Sequence, residues 1–402
     1  MGYKISITES FDIRKIVWKG AIDLANKFPL FGSGVETFAF AYYFVRPEAH
    51  NLTSEWDYLY NKAHNEYLNY VATTGYVGLG TYLIMIAVLI FFAIKQITKK
   101  ISNSQLLTIC LLLAYISILI TNFFGFSTTT INLFFYGIPA IIMILSYKKD
   151  EEQKPPSNTN ILVTNLQWVS IGIAVLATFF LLISCINYFL ADVTYARADA
   201  FSKTGDYQSA ARLLTQALKY RYEHVYEDKL SYVLANLAIS ASYQKQSQLA
   251  QQIQTLSDNY NKKSLQASPK NVLYWKTRAK NHYLFYQIGL DRKTLEEGIE
   301  ALEEAKSLSP TDPKIPYSLS IFKSLLYDDE KKRGQKEEYM VQSLQDVEYS
   351  VHLKPDFRDG YFLKAQLLKK YGQKEKAKET YEYILNILNP SDEDVKKELQ
   401  SL

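Results

Sequence analysis

Four uncharged apolar stretches, 76–94, 106–124, 131–147 and 166–190, constrain this 402-residue chain more than any other feature. At 1.5 Å per residue each is long enough, or nearly so, to cross a hydrocarbon layer about 30 Å thick. The third is the shortest and contains Pro139, which a membrane helix tolerates where neighbours satisfy the freed backbone groups. Beyond Ala191 no apolar run approaches that length. An average hydropathy near zero therefore conceals an apolar half and a polar half.

The reading is an all-α chain: polytopic membrane helices with four predicted spans, followed by a helical repeat domain. Its domains are a polar loop over 1–75, four transmembrane helices over 76–191 and repeats over 192–402. Lys95, Lys99 and Lys100 flank one connection and Lys148, Lys149 and Lys154 another, whereas residues 125–130 carry no basic side chain. By the positive-inside rule both basic connections are cytoplasmic. A multi-pass protein of the cell membrane follows, with loop 1–75 and tail 192–402 outside.

From Tyr195 the sequence shows helical periodicity with tetratricopeptide-like punctuation. Small residues recur where paired helices would touch: Ala198, Ala210 and Ala217 in a first unit, Ala279 and Ala305 in a second, Val347 and Ser350 in a third, Ala365 and Ala377 in a fourth. Prolines 269, 310, 355 and 390 follow the second helices at separations of 41, 45 and 35 residues, longer than the ideal repeat of about 34. Such a stack offers a concave surface for an envelope protein or a glycan.

Several classes are excluded. A net charge of +4 on a chain this long gives no ground for a nucleic-acid partner. Cys110 and Cys185 lie in apolar stretches without ligand-spaced neighbours, so neither a disulfide nor a metal site is expected. Gly32-Ser33-Gly34 lacks the lysine that makes a glycine loop bind nucleotides, and reads as a turn after an amphipathic helix over 12–28 that Pro29 stops.

Between residues 12 and 78 three motifs occur in order: Arg14 with Trp18 four residues on, Pro29-Leu30-Phe31-Gly32-Ser33-Gly34, and His64-Asn65-Glu66-Tyr67-Leu68. This order resembles the large polar loop and following helix of the O-antigen ligase and polymerase superfamily. The resemblance extends over roughly residues 10–145. It implies a membrane glycosyltransferase that moves a glycan from a polyprenyl-diphosphate carrier to a hydroxyl acceptor in cell-surface polysaccharide biosynthesis, without a cofactor. Relatives of this kind carry more helices upstream, so the chain reads as the carboxy-terminal portion of a longer one.

Carried over residue by residue, the resemblance puts Arg14 on the lipid diphosphate, a role suited to a planar, permanently charged fork. Arg46, after the aromatic run 38–44, is a second diphosphate candidate. His64 takes the base-like catalytic role, since its proton affinity lies near neutral pH, and Asn65 would orient its ring or a sugar hydroxyl. The plainer alternatives are headgroup-level cations for the arginines and a helix-capping histidine for His64. His50 reads as a loop residue, Lys19 as solvated, and Glu66 as turned away from His64. Two other functions share the pattern: a protein O-oligosaccharyltransferase, and a non-catalytic membrane-anchored repeat scaffold for envelope assembly.

Overall fold

The computed structural model describes residues 8–98, 103–146 and 164–402. All regular structure in them is helical, and the chain divides into two compact units, residues 5–159 and 160–402. Lys99, Lys100, Lys148, Lys149 and Lys154, on which the predicted orientation rests, lie outside the described residues.

In the first unit, α1 (Ser10–Lys27) buries Ile13, Val17, Ala21 and Leu24, a spacing of three or four residues that makes one helical face apolar. Phe28 ends it, and Pro29 follows. A short turn, α2 (Phe38–Ala41), adds Phe38 and Ala41 to the same core, with Tyr42, Tyr60, Ala63 and Ala72. Three helices follow: α3 (Glu66–Ile97), α4 (Asn103–Phe124) and α5 (Thr129–Ser146). They share a second core of Tyr82, Ile86, Leu89, Tyr115, Phe135, Ile138 and Ile142.

One break interrupts α3. Gly75 has φ 71° and ψ −175°, which removes two helical hydrogen bonds, and the 29–34 turn replaces them. Tyr76 N and Val77 N donate to Pro29 O (2.8 Å) and Leu30 O (3.3 Å), while Ala72 O and Thr73 O accept from Ser33 N (3.0 Å) and Gly34 N (2.9 Å). One loop segment, residues 29–34, thus stands in for the missing helical bonds. The expected span start at Tyr76 coincides with this break.

The second unit begins with α6 (Asn165–Lys203), whose start is a capping box between Thr164 and Gln167. It runs about 58 Å without a break at Ala191. Along its first part the large apolar side chains, Trp168 to Leu190, are exposed, and Ala191 is the first buried residue. The compositional boundary is thus where packing begins, within one continuous helix.

Helices then pair: the end of α6 with α7 (Tyr207–Tyr220), α8 (His224–Tyr243) with α9 (Ser247–Ala267), and α10 (Val272–Gly289) with α11 (Arg292–Leu308). Next come α12 (Lys314–Asp329) with α13 (Arg333–Leu353), and α14 (Arg358–Lys370) with α15 (Lys374–Tyr383), which a π-helical turn Ile384–Leu388 extends. A last helix, α16 (Glu393–Gln400), closes the array. These are tetratricopeptide-like helical repeats, in five pairs among the described residues where four units were expected. The predicted small residues Ala198, Ala210, Ala217, Ala279, Ala305, Ala365 and Ala377 are all buried. Prolines 269, 310, 355 and 390 each stand two residues after a helix end.

Three described helices are long and apolar enough to cross a membrane: Glu66–Ile97, Gln105–Phe124 and Gln167–Lys203. The third predicted span, α5, is apolar but shorter, about 27 Å over its 18 residues.

Candidate functional site

The site is assembled on the connection between α4 and α5. Arg14 and Trp18, one turn apart on α1, both reach the end of α4: Arg14 Nη1 donates to Phe124 O at 2.9 Å, and the Trp18 ring packs edge-on against Phe123 at 5.9 Å. A cation on the last carbonyl of a helix is favourable, because that end carries unpaired acceptors and the negative pole of the dipole. One N–H of the fork is used there, and Arg14 stays partly exposed.

His64 approaches the same connection. Its ring meets Phe126 edge-on at 5.3 Å and Tyr60 at 5.8 Å. Its backbone is left-handed, φ 55°, a region histidine enters more readily than most residues. Nδ1 lies 3.1 Å from Lys62 O. A carbonyl can only accept, so Nδ1 donates, and in the neutral ring Nε2 then holds the lone pair. Nε2 has no protein partner among the described residues. His64 lines a cleft of about 270 Å³ with Glu55, Tyr60, Asn61, Lys62 and Phe126.

Asn65 acts elsewhere. It is the N-cap of α3, its Oδ1 accepting from Leu68 N at 3.0 Å, and it is buried. The His64 ring is oriented by Lys62 O, and the helix is capped by Asn65 rather than by the histidine. Glu66 is buried too; its Oε2 accepts from Ser127 N at 3.1 Å, which ties the start of α3 to the α4–α5 connection.

Arg46 is separated from Arg14 by its environment. It is 7% exposed and turned into its own loop, where Nη2 donates to Asn51 Oδ1 at 3.0 Å and to Trp56 O. This guanidinium organises residues 46–56 and leaves little surface for a diphosphate. His50 is fully buried, with Nδ1 3.1 Å from Tyr42 Oη. Burial, reinforced by the Arg46 charge, lowers its pKa to about 4, so the ring is neutral at physiological pH. Lys19 is exposed, as expected.

The cleft's charged lining escaped the sequence reading. Lys62 pairs with Glu36 at 2.5 Å, and Tyr60 donates to the Glu55 carboxylate. Burial and that carboxylate push the Tyr60 phenol well above its ordinary value, keeping it a neutral donor. These residues come from separate loop segments and share no motif; the one available signal was their proximity in sequence to His64. No cluster of three or more His, Cys, Asp or Glu able to hold a metal ion occurs among the described residues.

Comparison with known proteins agrees with the loop reading. The matching family is described as O-antigen ligase, and its model matches residues 8–83. Among curated proteins no match was found. Solved structures that match include a thermophilic tetratricopeptide protein of Thermus thermophilus, 16% identical, covering 52% of this chain and 97% of that one, with a TM-score of 0.39. Others are MamA from Desulfovibrio magneticus (16%, 50% and 97%, TM-score 0.36) and Pseudomonas aeruginosa pilF (17%, 50% and 77%, TM-score 0.35). Over residues 8–83, the segment bearing Arg14, the 29–34 turn and His64, the chain carries the pattern of the O-antigen ligase domain.

Proposed function

We propose that this protein is a membrane glycosyltransferase of the O-antigen ligase type. It transfers a glycan from a polyprenyl-diphosphate carrier to a hydroxyl acceptor outside the cytoplasm. The observation that carries the reading is the placement of His64: Nδ1 is 3.1 Å from Lys62 O, and the ring lines an open cleft within the segment that matches the family.

In this mechanism the acceptor hydroxyl gives its proton to His64 Nε2 as its oxygen attacks the anomeric carbon. The bond from that carbon to the phosphate oxygen breaks on the opposite face, and configuration inverts. Arg14 holds the departing diphosphate through the N–H groups not committed to Phe124 O, since a charged fork stabilises the developing negative charge. Asn65 and Glu66 serve as supports, one starting α3 and the other fastening it to Ser127.

Replacement of the genomic copy by His64→Ala or Arg14→Ala tests the reading in the protein's own setting. Each variant should accumulate lipid-linked glycan and lose transferred glycan, with protein abundance unchanged on an immunoblot. Wild-type transfer by the double variant would end the proposal. The product identifies the acceptor: glycan on a saccharide marks a ligase or polymerase, and glycan on serine or threonine a protein O-oligosaccharyltransferase.

A further inference from the structure

The turn that fills the break in α3 directs its largest side chains outward. Leu30 is 63% exposed, Phe31 73% and Val35 74%. Exposure on this scale is costly in water for three neighbouring apolar groups. Yet the turn's backbone is tied to Tyr76 and Val77, the first residues of the apolar part of α3, themselves half exposed.

That tie fixes its depth. Residues 76–94 span about 28 Å as a helix, close to a hydrocarbon thickness, and Lys95 follows at the far end. Whatever meets one end of this stretch sits at the boundary between headgroups and acyl chains. Lys27, at the end of α1, lies just before the turn, where its ammonium suits the headgroup layer.

Part of the turn's polar surface is already paired within the protein. Gly32 N donates to Phe28 O (3.0 Å), and Ser33 N and Gly34 N to the freed carbonyls of α3. The Ser33 hydroxyl bonds the Thr37 hydroxyl at 2.8 Å and Ala72 O at 3.2 Å, and Thr37 Oγ1 donates to Gly34 O at 2.6 Å. Each group paired in this way lowers the cost of bringing the turn against lipid.

We propose that the 29–35 turn is a lipid-contacting wedge, in which Leu30, Phe31 and Val35 enter the bilayer interface beside the start of α3. The occupant of this apolar surface is lipid. Glu36, paired with Lys62, marks the polar limit of the insertion.

Spin labelling of the whole protein tests the proposal. In a background with Cys110→Ala and Cys185→Ala, nitroxides are placed at Phe31→Cys and, separately, Val35→Cys, both exposed positions whose replacement removes no core contact. The protein is reconstituted into phosphatidylcholine bilayers. Ile84→Cys in the span and Glu48→Cys in the loop give the lipid and water references. Labels at 31 and 35 are expected to collide more with dissolved oxygen than with an aqueous nickel chelate, as at 84. Equal or greater collision with the chelate, as at 48, overturns the proposal in favour of water. Protection from both reagents overturns it in favour of a protein partner.

Discussion

Gly32 and Gly75 close the same gap from opposite sides. A Cβ on Gly32 would lie 2.3 Å from the Thr73 carbonyl carbon, and one on Gly75 would lie 2.2 Å from the Leu30 carbonyl oxygen. Both have left-handed backbones, φ 68° and 71°. The Gly-x-Gly motif and the glycine before the span are therefore halves of one joint, in which a loop completes an interrupted helix.

Substituting alanine at either position combines the left-handed penalty of about 1–2 kcal/mol with a backbone collision, for a total loss on the order of 3 kcal/mol. Gly80→Ala, where a Cβ meets nothing within 4 Å, should be neutral or slightly stabilising. Thermal unfolding in detergent, followed by protease resistance of the first unit, checks the contrast. Equal midpoints for Gly75→Ala and Gly80→Ala would count against the joint.

His64 and Asn65 are adjacent, but their variants should part company. Asn65→Ala removes an N-cap and costs about 1 kcal/mol of stability, whereas Asn65→Asp keeps the cap and the fold. His64→Asn, which tolerates the same left-handed backbone, should leave the unfolding midpoint nearly in place and abolish transfer. A transfer assay beside the melting curves separates the two roles; loss of transfer in a fully stable Asn65→Asp protein would give the amide a chemical part.

Some of this was legible in one dimension. Pro29 marks the end of α1, and the tail prolines mark the ends of second helices, because proline acts through local backbone chemistry. The pair α8 and α9 buries Ala235, Ala238, Ala241 and Ala250, yet polar contacts stand among them and blur the pattern: Ser257 Oγ donates to Ser231 O at 2.6 Å, and Asn261 Nδ2 to Asp228 Oδ1 at 3.2 Å. The surroundings of Arg14 and His64 were equally hidden. Phe124 meets Arg14, Phe126 meets His64 and Ser127 meets the neighbouring Glu66, each across more than 60 residues of chain, and no periodicity encodes those meetings.

Arg46 should behave as a structural residue. Arg46→Lys preserves the charge but ends one atom short of the Nη2 that reaches both Asn51 Oδ1 and Trp56 O, so the 46–56 loop should lose about 1–3 kcal/mol of stability. Hydrogen exchange over residues 46–60 reads this directly. An unaltered exchange pattern with weakened donor binding would return Arg46 to the diphosphate site.

In the tail, Arg358 grips Asp392 through Nε and Nη2, both at 2.8 Å, and Asp392 also caps α16. The guanidinium holds this carboxyl below its ordinary range. A depressed carboxylate stabilises the fold above its unfolded value and loses that contribution as pH falls through the folded one. Arg358→Ala should therefore fray α16 at neutral pH, costing about 1–2 kcal/mol, and show a smaller further loss on acidification below about 4 than the parent. Exchange of α16 amides at pH 7 and pH 3 measures both.

His50 sets the acid sensitivity of the loop. Its folded pKa near 4 is below the ordinary 6.5, so the unfolded chain binds more protons between those values and stability rises with pH across that window. The contribution is complete above about 6.5 and is withdrawn progressively toward 4, for a total on the order of 3 kcal/mol. His50→Phe fills a similar volume and cannot be protonated, although it forfeits the bond to Tyr42. Its loop should be less protected than the parent's at pH 7 and comparatively unchanged at pH 4.5. Hydrogen exchange of residues 38–63, a segment that does not contain the buried His282, isolates the effect; parallel pH profiles for the two proteins would show that acid acts on the loop through some other group.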